Sequence, residues 1–364
     1  MNRWRAGPGA ARLRCALLGA VIVGAPAALV PASPGGPSPR SLPLAARQGP
    51  PPPPPGRWRG LIGEYGPDST TRVVILERDG RLLAWFDSTR SSELHPAGDD
   101  GFRLGTTGPR DHPEVRFQRG ASGRASAVSV WDSLWPRRAL GPEEGSVFRI
   151  TPVRPVEELR REALAASPPA ETGEFRETDL VELVKLDSTI RLDIRYATAR
   201  NFLGTPLYSQ ARAFMQRPAA EALLRAHRKL RAMGYGLLIH DAYRPWYVTR
   251  MFWDGTPPAQ HEFVADPATG SRHNRGCAVD LTLYDLRTGH AVEMPGVYDE
   301  MSHRSYPSYP GGTSRQRWYR ELLRRAMEAE GFTVYSAEWW HFDYKDWKSY
   351  RIGNTTFERL GRAH

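Results

Sequence analysis

The stretch SRHNRGCAVD, residues 271 to 280, decides the fold, because the chain turns at Gly276 and then enters a buried strand. His273 lies in the loop before this glycine, and Asp280 lies in the strand that follows it. The Asp280 carboxylate stands between two apolar neighbours, where burial without a partner is costly. We therefore expect a metal ion or another cation beside Asp280.

A second stretch, AEWWHF at residues 337 to 342, offers further ligands to the same cation. Glu338 and His341 lie there among three aromatic side chains, where an unpaired charge is again unfavourable. Zinc in hydrolases takes three protein ligands from His, Asp, Glu or Cys and keeps a fourth position for water. One histidine near one aspartate usually forms only a structural hydrogen bond, but the two stretches together favour a metal site over that alternative.

The sequence around these stretches predicts an α+β domain from residue 176 to residue 364, with a central antiparallel or mixed sheet and flanking helices. Apolar residues at helical spacing predict one helix over residues 218–233, before Gly234, and another that ends at Gly331. The strand patterns are VELVKLD (181–187), IRLDIRYA (190–197), YGLLIHD (235–241), CAVDLTLYD (277–285) and FTVYSAEWWHFDY (332–344), the last as a single strand.

Residues 57 to 152 have a different pattern, with short apolar runs separated by glycines. Two such runs flank Asp79-Gly80, which is a strong signal of a β-hairpin. We predict a small antiparallel, barrel-like β domain here and a helical connection at residues 153–175. The domain weakly resembles the small β domain that follows some serine-hydrolase domains. It has no catalytic cluster, and we expect it to contact the cell wall or a protein.

The N-terminus reads as a secretory signal peptide over residues 1–32, with a basic segment, an apolar segment and then small residues. Residues 33–56 are rich in proline and predict an extended linker. We therefore expect an exported protein of the periplasm or cell envelope, without a stable membrane span once the leader is removed. The net charge is +10, but the arginines are scattered and no nucleic-acid-binding motif is present, so nucleic acid is not an expected partner.

The chain has two cysteines, Cys15 in the leader and Cys277 in the first stretch, so the mature chain has no intrachain disulfide. A thiolate at Cys277 as a fourth metal ligand would close the site, and we favour an inert core residue instead. We expect His240 and His303 to have structural or supporting roles.

Five stretches carry a resemblance to a known family: DIRYATARNFLG (193–204), GYGLLIHDAYRP (234–245), SRHNRGCAVDLTL (271–283), YDEMSHRS (298–305) and EWWHFDY (338–344). In this order they resemble the zinc D-alanyl-D-alanine dipeptidases, a subfamily of the M15 peptidases that includes the dipeptidase of vancomycin-resistance clusters. The EWWHF and DAYRP motifs distinguish this family from the wider D-Ala-D-Ala carboxypeptidases.

The resemblance implies a role for eight residues and one zinc ion per chain. The implied zinc ligands are His273, Asp280 and His341; the catalytic residues are Glu338 and Arg244; the substrate-binding residues are Asp299, Ser271 and Tyr196. Two of these have a structural alternative, since Arg244 could form only a salt bridge with Asp241, and Asp299 could cap the following helical turn.

The resemblance also implies zinc-dependent hydrolysis of D-alanyl-D-alanine to two D-alanines. The leader favours salvage or turnover of peptidoglycan over antibiotic resistance, because the precursor that glycopeptide antibiotics recognise is built inside the cell. One alternative is a carboxypeptidase or endopeptidase with an open cleft for larger muropeptides. The other is a wall-binding module that keeps the metal frame without turnover.

Overall fold

A computed structural model describes residues 49–67, 71–86, 90–105, 113–139 and 147–360 of the chain. The predicted signal peptide and most of the predicted linker, residues 33–48, lie outside the described residues. The prolines from residue 50 to residue 55 have neither helical nor strand structure, and the first helical turn begins at Gly56.

The first half of the described chain is an eight-stranded antiparallel sheet in which the strands pair in sequence order. Its elements are α1 (Gly56–Arg59), β1 (Gly63–Tyr65), β2 (Val73–Arg78), β3 (Arg81–Trp85), β4 (Ser91–Pro96), β5 (Gly101–Leu104), β6 (Glu114–Arg119), β7 (Ala125–Val130) and β8 (Ser133–Pro136). The predicted hairpin at Asp79-Gly80 joins β2 and β3, and both turn residues have the positive φ that a tight hairpin needs (52° and 77°).

The sheet nearly closes into a barrel, because β1 meets the chain just after β8. Gly66 N donates to Pro136 O at 3.0 Å, and Arg138 N donates to Glu64 O at 2.8 Å. The barrel has its own apolar core, which includes Tyr65 and Ile75. The predicted barrel-like β domain is thereby confirmed as a fold, while its predicted boundaries at residues 57 and 152 stay predictions.

The second half contains a five-stranded mixed sheet in the order β10-β12-β13-β15-β14, in which only β10 and β12 run parallel. A two-stranded sheet of β9 and β11 lies beside it. The elements are α2 (Val156–Ala165), β9 (Leu180–Glu182), α3 (Leu183–Leu186), β10 (Arg191–Leu192), β11 (Phe214–Gln216), α4 (Arg217–Arg231), β12 (Tyr235–Asp241), α5 (Trp246–Gly255), β13 (Ala278–Asp285), α6 (Ser314–Glu328), β14 (Phe332–Tyr335), β15 (Glu338–Tyr344) and α7 (Phe357–Leu360). The predicted α+β fold class is confirmed.

Helices α4 and α6 pack against each other and against the sheet. Leu223 and Leu230 of α4 belong to the same buried core as Leu237 of β12 and Leu281 of β13. This core holds the central strands rigidly, so that residues at their ends have fixed positions. None of the helices within the described ranges is long and apolar enough to cross a bilayer.

Three predicted strands were wrong in extent. VELVKLD forms a strand only at its start and then turns into α3, and IRLDIRYA has two strand residues followed by a 3₁₀ turn. FTVYSAEWWHFDY is a hairpin of β14 and β15, because the chain reverses at residues 336–337. The sequence analysis also missed α5, whose residues are buried on nearly all sides and therefore show no helical periodicity.

Candidate active site

Two aspartates and one histidine lie in one row across the centre of the mixed sheet. Asp241 of β12 pairs with Asp280 of β13, and Asp280 pairs in turn with His341 of β15. Directly paired residues on neighbouring strands have their side chains about 5 Å apart. The strand register therefore brings together groups that are 100 residues apart in sequence (Asp241 to His341).

A tight turn brings His273 next to this row. Residues His273–Arg275 form a 3₁₀ turn that ends at Gly276, whose φ of 68° is the left-handed conformation that glycine adopts without strain. A side chain at this position would also clash, since its Cβ would lie 2.5 Å from Leu180 Cδ2. The turn is held to the DAYRP segment by a hydrogen bond of 3.1 Å from Arg244 N to His273 O.

The donor atoms of His273, Asp280 and His341 converge on one point. His273 Nε2 lies 3.0 Å from His341 Nδ1, and Asp280 Oδ1 lies 3.2 Å from the first nitrogen and 3.0 Å from the second. All three residues are buried, and their ligand atoms lie within 4.8 Å of one another. The predicted ligand residues are thus brought together in one group.

The hydrogen bonds behind the two rings fix which nitrogen carries the proton. His273 Nδ1 donates to the carbonyl of Ala242 at 2.6 Å, and His341 Nε2 donates to Asp343 Oδ1 at 2.9 Å. Because a neutral imidazole has one N–H, the nitrogens that face each other carry lone pairs. Two lone pairs and a carboxylate oxygen repel one another unless a cation lies between them, and this arrangement of supporting bonds is typical of metal-ligating histidines. The donor set therefore fits a divalent metal ion.

The charges of the group are strongly coupled. Burial disfavours the charged carboxylate of Asp280, but the two imidazoles outweigh it and hold its pKa well below the ordinary value. Burial likewise disfavours the His341 cation, but the Asp343 and Asp280 carboxylates raise the pKa of His341 well above the ordinary value. Positive charge is therefore stabilised at this point, whether a proton or a metal ion supplies it.

Glu338 reaches the same group through an irregularity in the hairpin. Residues three apart on a regular strand face opposite sides of the sheet. Here the pairing of β14 with β15 jumps from Val334–Phe342 to Tyr335–Glu338 between adjacent residues of β14. Glu338 Oε2 consequently lies 3.7 Å from His341 Nδ1. Burial raises the pKa of Glu338 to about 8, the His341 imidazole lowers it, and the Asp280 carboxylate raises it.

Arg244 makes the predicted salt bridge with Asp241 and also faces the metal-ligand group. Its Nε donates to Asp241 Oδ2 at 2.8 Å, and its Nη2 lies 3.5 Å from Asp280 Oδ2. The guanidinium lies over the rings of Tyr196 and Phe252, at 5.4 and 4.7 Å from their centres. The salt bridge with Asp241 and a catalytic role for Arg244 are therefore compatible, since the ion pair holds the guanidinium at the edge of the cleft.

Asp299 lines the same cleft as the metal-ligand group and is only partly hydrogen-bonded. Its Oδ1 accepts from Tyr196 OH at 2.8 Å, while its buried Oδ2 has no hydrogen-bond partner in the described parts of the chain. Burial raises the pKa of Asp299 well above the ordinary value. The alternative role as a helix cap was wrong, because Ser302 caps the 3₁₀ turn that follows.

All eight residues predicted for the site line one cleft, which encloses about 680 Å³ including its mouth. Ser271 is among these lining residues, and its hydroxyl accepts from the backbone N–H of His273 at 3.2 Å. Apolar side chains form much of the remaining wall, among them Phe202, Phe263 and Met301. A concave site with apolar walls and a few convergent polar groups is typical of small-molecule binding.

The other candidates lie outside the metal-ligand group. Cys277 is fully buried, burial raises the pKa of its thiol to about 12, and it is not one of the three grouped residues. His240 stacks on Tyr298 with ring centres 4.5 Å apart, and burial together with Arg195 lowers its pKa to about 4. His303 donates to Glu64 of the barrel at 2.7 Å.

The sequence analysis missed the groups that orient the ligands. Asp343 and the carbonyl of Ala242 fix the two imidazoles, and Tyr298 donates to Asp280 Oδ2 at 3.1 Å. Asp343 could have been found, since it is two residues after His341 on one strand and so shares its face. A backbone carbonyl leaves no trace in the sequence.

Comparison with known proteins places the second half of the chain in context. Residues 176–358 match the family model of D-ala-D-ala dipeptidase, peptidase M15. A D-alanyl-D-alanine dipeptidase of Escherichia coli (strain K12) is 36% identical over 48% of this chain and 89% of its own length. Those of Enterococcus faecium (35% identical; 43% and 87%) and Streptomyces coelicolor (37% identical; 48% and 93%) are similar to the same extent. The barrel lies outside the family model.

Proposed function

The chain belongs to the D-Ala-D-Ala dipeptidase family of peptidase M15, and from that premise we propose that it hydrolyses D-alanyl-D-alanine to two D-alanines with the help of zinc. The observation that carries this proposal is the convergence of two imidazole nitrogens and the Asp280 carboxylate beside Glu338. This is the ligand number of catalytic zinc sites, which leave one position open.

His273, Asp280 and His341 would hold the ion. When bound, zinc acts as a Lewis acid toward the scissile carbonyl and makes water more acidic. The supporting bonds from Ala242 and Asp343 keep both rings in the orientation that binding needs. The choice of zinc follows from the donor types, because nitrogen ligands with one carboxylate suit zinc better than magnesium or calcium.

Glu338 is the proposed general base and acid. Its carboxylate takes a proton from the attacking water and passes it to the amine nitrogen that leaves when the peptide bond breaks. Burial raises the pKa of Glu338 to about 8, which suits donation of the proton to the leaving amine. A divalent cation nearby would lower this pKa and so favour the carboxylate that takes the proton from water. The Asp241 carboxylate is nearly as close, 3.8 Å from His273 Nδ1, but it is already held in the ion pair with Arg244.

Arg244 is proposed to stabilise the negative charge that develops on the carbonyl oxygen. The guanidinium stays protonated, and the Asp241 ion pair fixes Nε while the terminal nitrogens face the cleft. Preorganised donors of this kind stabilise a transition state more than a ground state, since the charge appears only there.

Asp299 is proposed to bind the free ammonium group of the dipeptide. Tyr196 satisfies one carboxylate oxygen, and the other has no partner among the described residues, so an ammonium group would complete its hydrogen bonding. An acylated amine is uncharged and keeps only one N–H donor. The contact would therefore favour a free dipeptide over larger muropeptides. Ser271 lines the same cleft.

The proposed setting is the periplasm or cell envelope, where the enzyme would act in salvage or turnover of peptidoglycan. The support is the signal-peptide pattern of residues 1–32. Activity in a periplasmic extract, compared with the cytoplasmic fraction of the same cells, tests this assignment.

The function is tested by the release of D-alanine from D-Ala-D-Ala by the purified chain, before and after dialysis against a chelator. We expect activity that disappears on chelation and returns with zinc. An N-acetylated tripeptide that ends in D-Ala-D-Ala is the matched control and should be cleaved far more slowly. Equal rates on both substrates would contradict the dipeptidase assignment and favour the carboxypeptidase alternative.

A further inference from the structure

The outer face of the barrel is covered at β1 and β2. Side chains alternate along a strand, and Tyr65 and Ile75 face the barrel core, so Glu64, Val74 and Leu76 face outward. These three are nevertheless buried, with 3%, 2% and 1% of their surfaces exposed. Glu64 and Val74 are directly paired, which places them side by side on this covered face.

Glu64 binds the loop that carries Asp299. We call residues 295–313 the Asp299 loop. The Glu64 carboxylate accepts from His303 Nε2 at 2.7 Å and from Tyr309 OH at 2.8 Å, and both donors belong to this loop. Arg138 of the barrel lies 3.8 Å from the same carboxylate. A barrel residue thus holds the Asp299 loop at two points.

The hairpin of β2 and β3 holds the end of the same loop. Glu77 N donates to Gly312 O at 3.1 Å, and the Glu77 carboxylate accepts from Ser314 N at 2.7 Å, at the start of α6. A carboxylate at a helix N-terminus is a favourable cap. The loop therefore runs from the cleft to two anchors on the barrel.

Within the loop, the segment from Val297 to Ser305 is tied together by Glu300. This buried carboxylate accepts from Val297 N at 3.2 Å and from Ser302 Oγ at 2.6 Å. Asp299 lies inside this segment with a φ of 61°, a conformation that a non-glycine residue keeps only when its surroundings impose it. A shift at His303 is therefore transmitted to Asp299 as a movement of the whole segment.

We propose that the barrel is part of the substrate-binding apparatus, with Glu64 as a positioning residue that holds Asp299 in place through His303 and Tyr309. The inference rests on the proposed function, in which Asp299 binds the substrate ammonium. It assigns a role to the half of the chain that lies outside the family model.

The kinetic consequence is specific. The ammonium contact exists before and during the reaction, so weakening it raises KM and leaves kcat nearly unchanged. A displaced Asp299 also discriminates less between a free and an acylated amine. A general loss of stability changes neither KM nor the discrimination between a free and an acylated amine, because the molecules that stay folded bind substrate normally.

The test uses the full chain and compares Glu64→Ala with Val115→Ala, which shortens a fully buried side chain of the barrel core. Glu64→Ala should raise KM for D-Ala-D-Ala by about tenfold, with kcat within about twofold, in line with the effect of misplacing a binding group. It should also reduce the preference for D-Ala-D-Ala over N-acetyl-D-Ala-D-Ala. Val115→Ala should lower the melting temperature without changing either quantity.

Two further variants keep the test decisive. Glu64→Gln retains the shape and one acceptor and should raise KM less than Glu64→Ala does. Tyr309→Phe removes a single hydrogen bond and should also raise KM by a smaller factor. Tyr309→Phe replaces Glu64→Ala if that variant does not fold. Hydrogen exchange of residues 297–305 should be faster in Glu64→Ala than in Val115→Ala.

An unchanged KM and unchanged exchange of residues 297–305 in Glu64→Ala would overturn the inference, as would a KM that rises equally in Val115→Ala. If the unmodified chain releases no D-alanine, the proposed function fails instead. The exchange comparison still decides whether Glu64 holds the Asp299 loop, since it needs no turnover.

Discussion

Two buried carboxylates of the barrel, Glu64 and Glu77, are more completely hydrogen-bonded than two of the cleft, Asp299 and Glu338. Glu64 in the barrel accepts from His303, Tyr309 and Thr71, and Glu77 accepts from the backbone of Gly80 and Ser314. In the cleft, Asp299 has one donor, and Glu338 lies 3.7 Å from the nearest imidazole nitrogen. Of these four carboxylates, only the two of the barrel have both oxygens hydrogen-bonded to other described residues.

The pKa values show what this difference means. Burial alone raises the pKa of a carboxyl group, and in Glu64 the hydrogen bonds and charge of His303 reverse the effect and lower it. In Asp299 and Glu338 burial prevails, and their pKa values are raised. A buried acid without sufficient donors is unfavourable unless a ligand supplies them. The contrast therefore separates Glu64, which holds two parts of the fold together, from Asp299 and Glu338, which await a substrate, a water molecule or a metal ion.

The largest effect is expected from Glu338→Gln, which keeps the shape of the side chain but cannot accept a proton. We expect kcat to fall by roughly 10²- to 10⁴-fold, the usual contribution of a general base. Steady-state release of D-alanine measures it. Glu262→Gln is the control, because that glutamate also lines the cleft but binds Tyr306 instead. Equal losses in both variants would show that any cleft carboxylate matters and would remove the special role of Glu338.

A smaller effect is expected from Asp299→Asn, which removes the charge opposite the substrate ammonium. KM for D-Ala-D-Ala should rise by about 30-fold or more, the cost of removing one partner of a buried charge pair. Tyr196→Phe is the matched comparison, since it removes only the donor to the other carboxylate oxygen. If Asp299→Asn left KM unchanged, the ammonium would have to bind elsewhere.

A pH-dependent effect on stability is expected from Glu64→Gln. Because the pKa of Glu64 is lowered in the folded chain, its contribution is fully present above the unfolded value of 4.5 and is lost as the pH falls through the folded value. The variant should reduce the free energy of unfolding by about 1–3 kcal/mol at pH 7. The difference should shrink below about pH 4.5.

Denaturant unfolding of both chains at about pH 7 and about pH 3.5 measures this effect. Glu114→Gln is the control, because that barrel carboxylate is half exposed and its pair with Arg116 contributes little. A difference for Glu64→Gln that stayed constant across the pH range would show that its charge does not stabilise the contact with the Asp299 loop.

The smallest effect is expected from Cys277→Ala. The thiol is buried in the core with its pKa raised to about 12, so it should not bind a metal ion at neutral pH. The variant should keep the metal content and kcat of the unmodified chain and lose some stability, as any shortened core side chain does. Loss of the metal ion in this variant would make Cys277 a ligand.

The sequence predicted those parts of the site that have a local pattern. The sequence was sufficient to recognise candidate metal ligands and a candidate base: His273 before a glycine turn, Asp280 on an apolar strand, and Glu338 three residues before His341. The structure places these side chains together. The distance between them was not predictable, because it depends on the register that pairs Asp241, Asp280 and His341 across three strands. Because residues 332–344 were predicted as a single strand, the irregular hairpin that brings Glu338 close to the ligands was not predicted.

The contact between the two halves was also beyond the sequence. Glu64 is an ordinary acid on a short strand, and its burial depends on a partner 239 residues away in the chain, His303. Alternation along β1 predicts an outward-facing residue, which would normally be exposed. Only the covered outer face of the barrel shows that this position has a partner.

Zinc content measured by plasma mass spectrometry on the purified chain and three variants tests the central claim most directly. The account predicts about one zinc ion per chain in the unmodified protein and in Glu338→Gln, and almost none in His341→Ala and Asp280→Ala. A folded chain that binds no zinc, or a His341→Ala variant that binds it as well as the unmodified protein, would contradict the account.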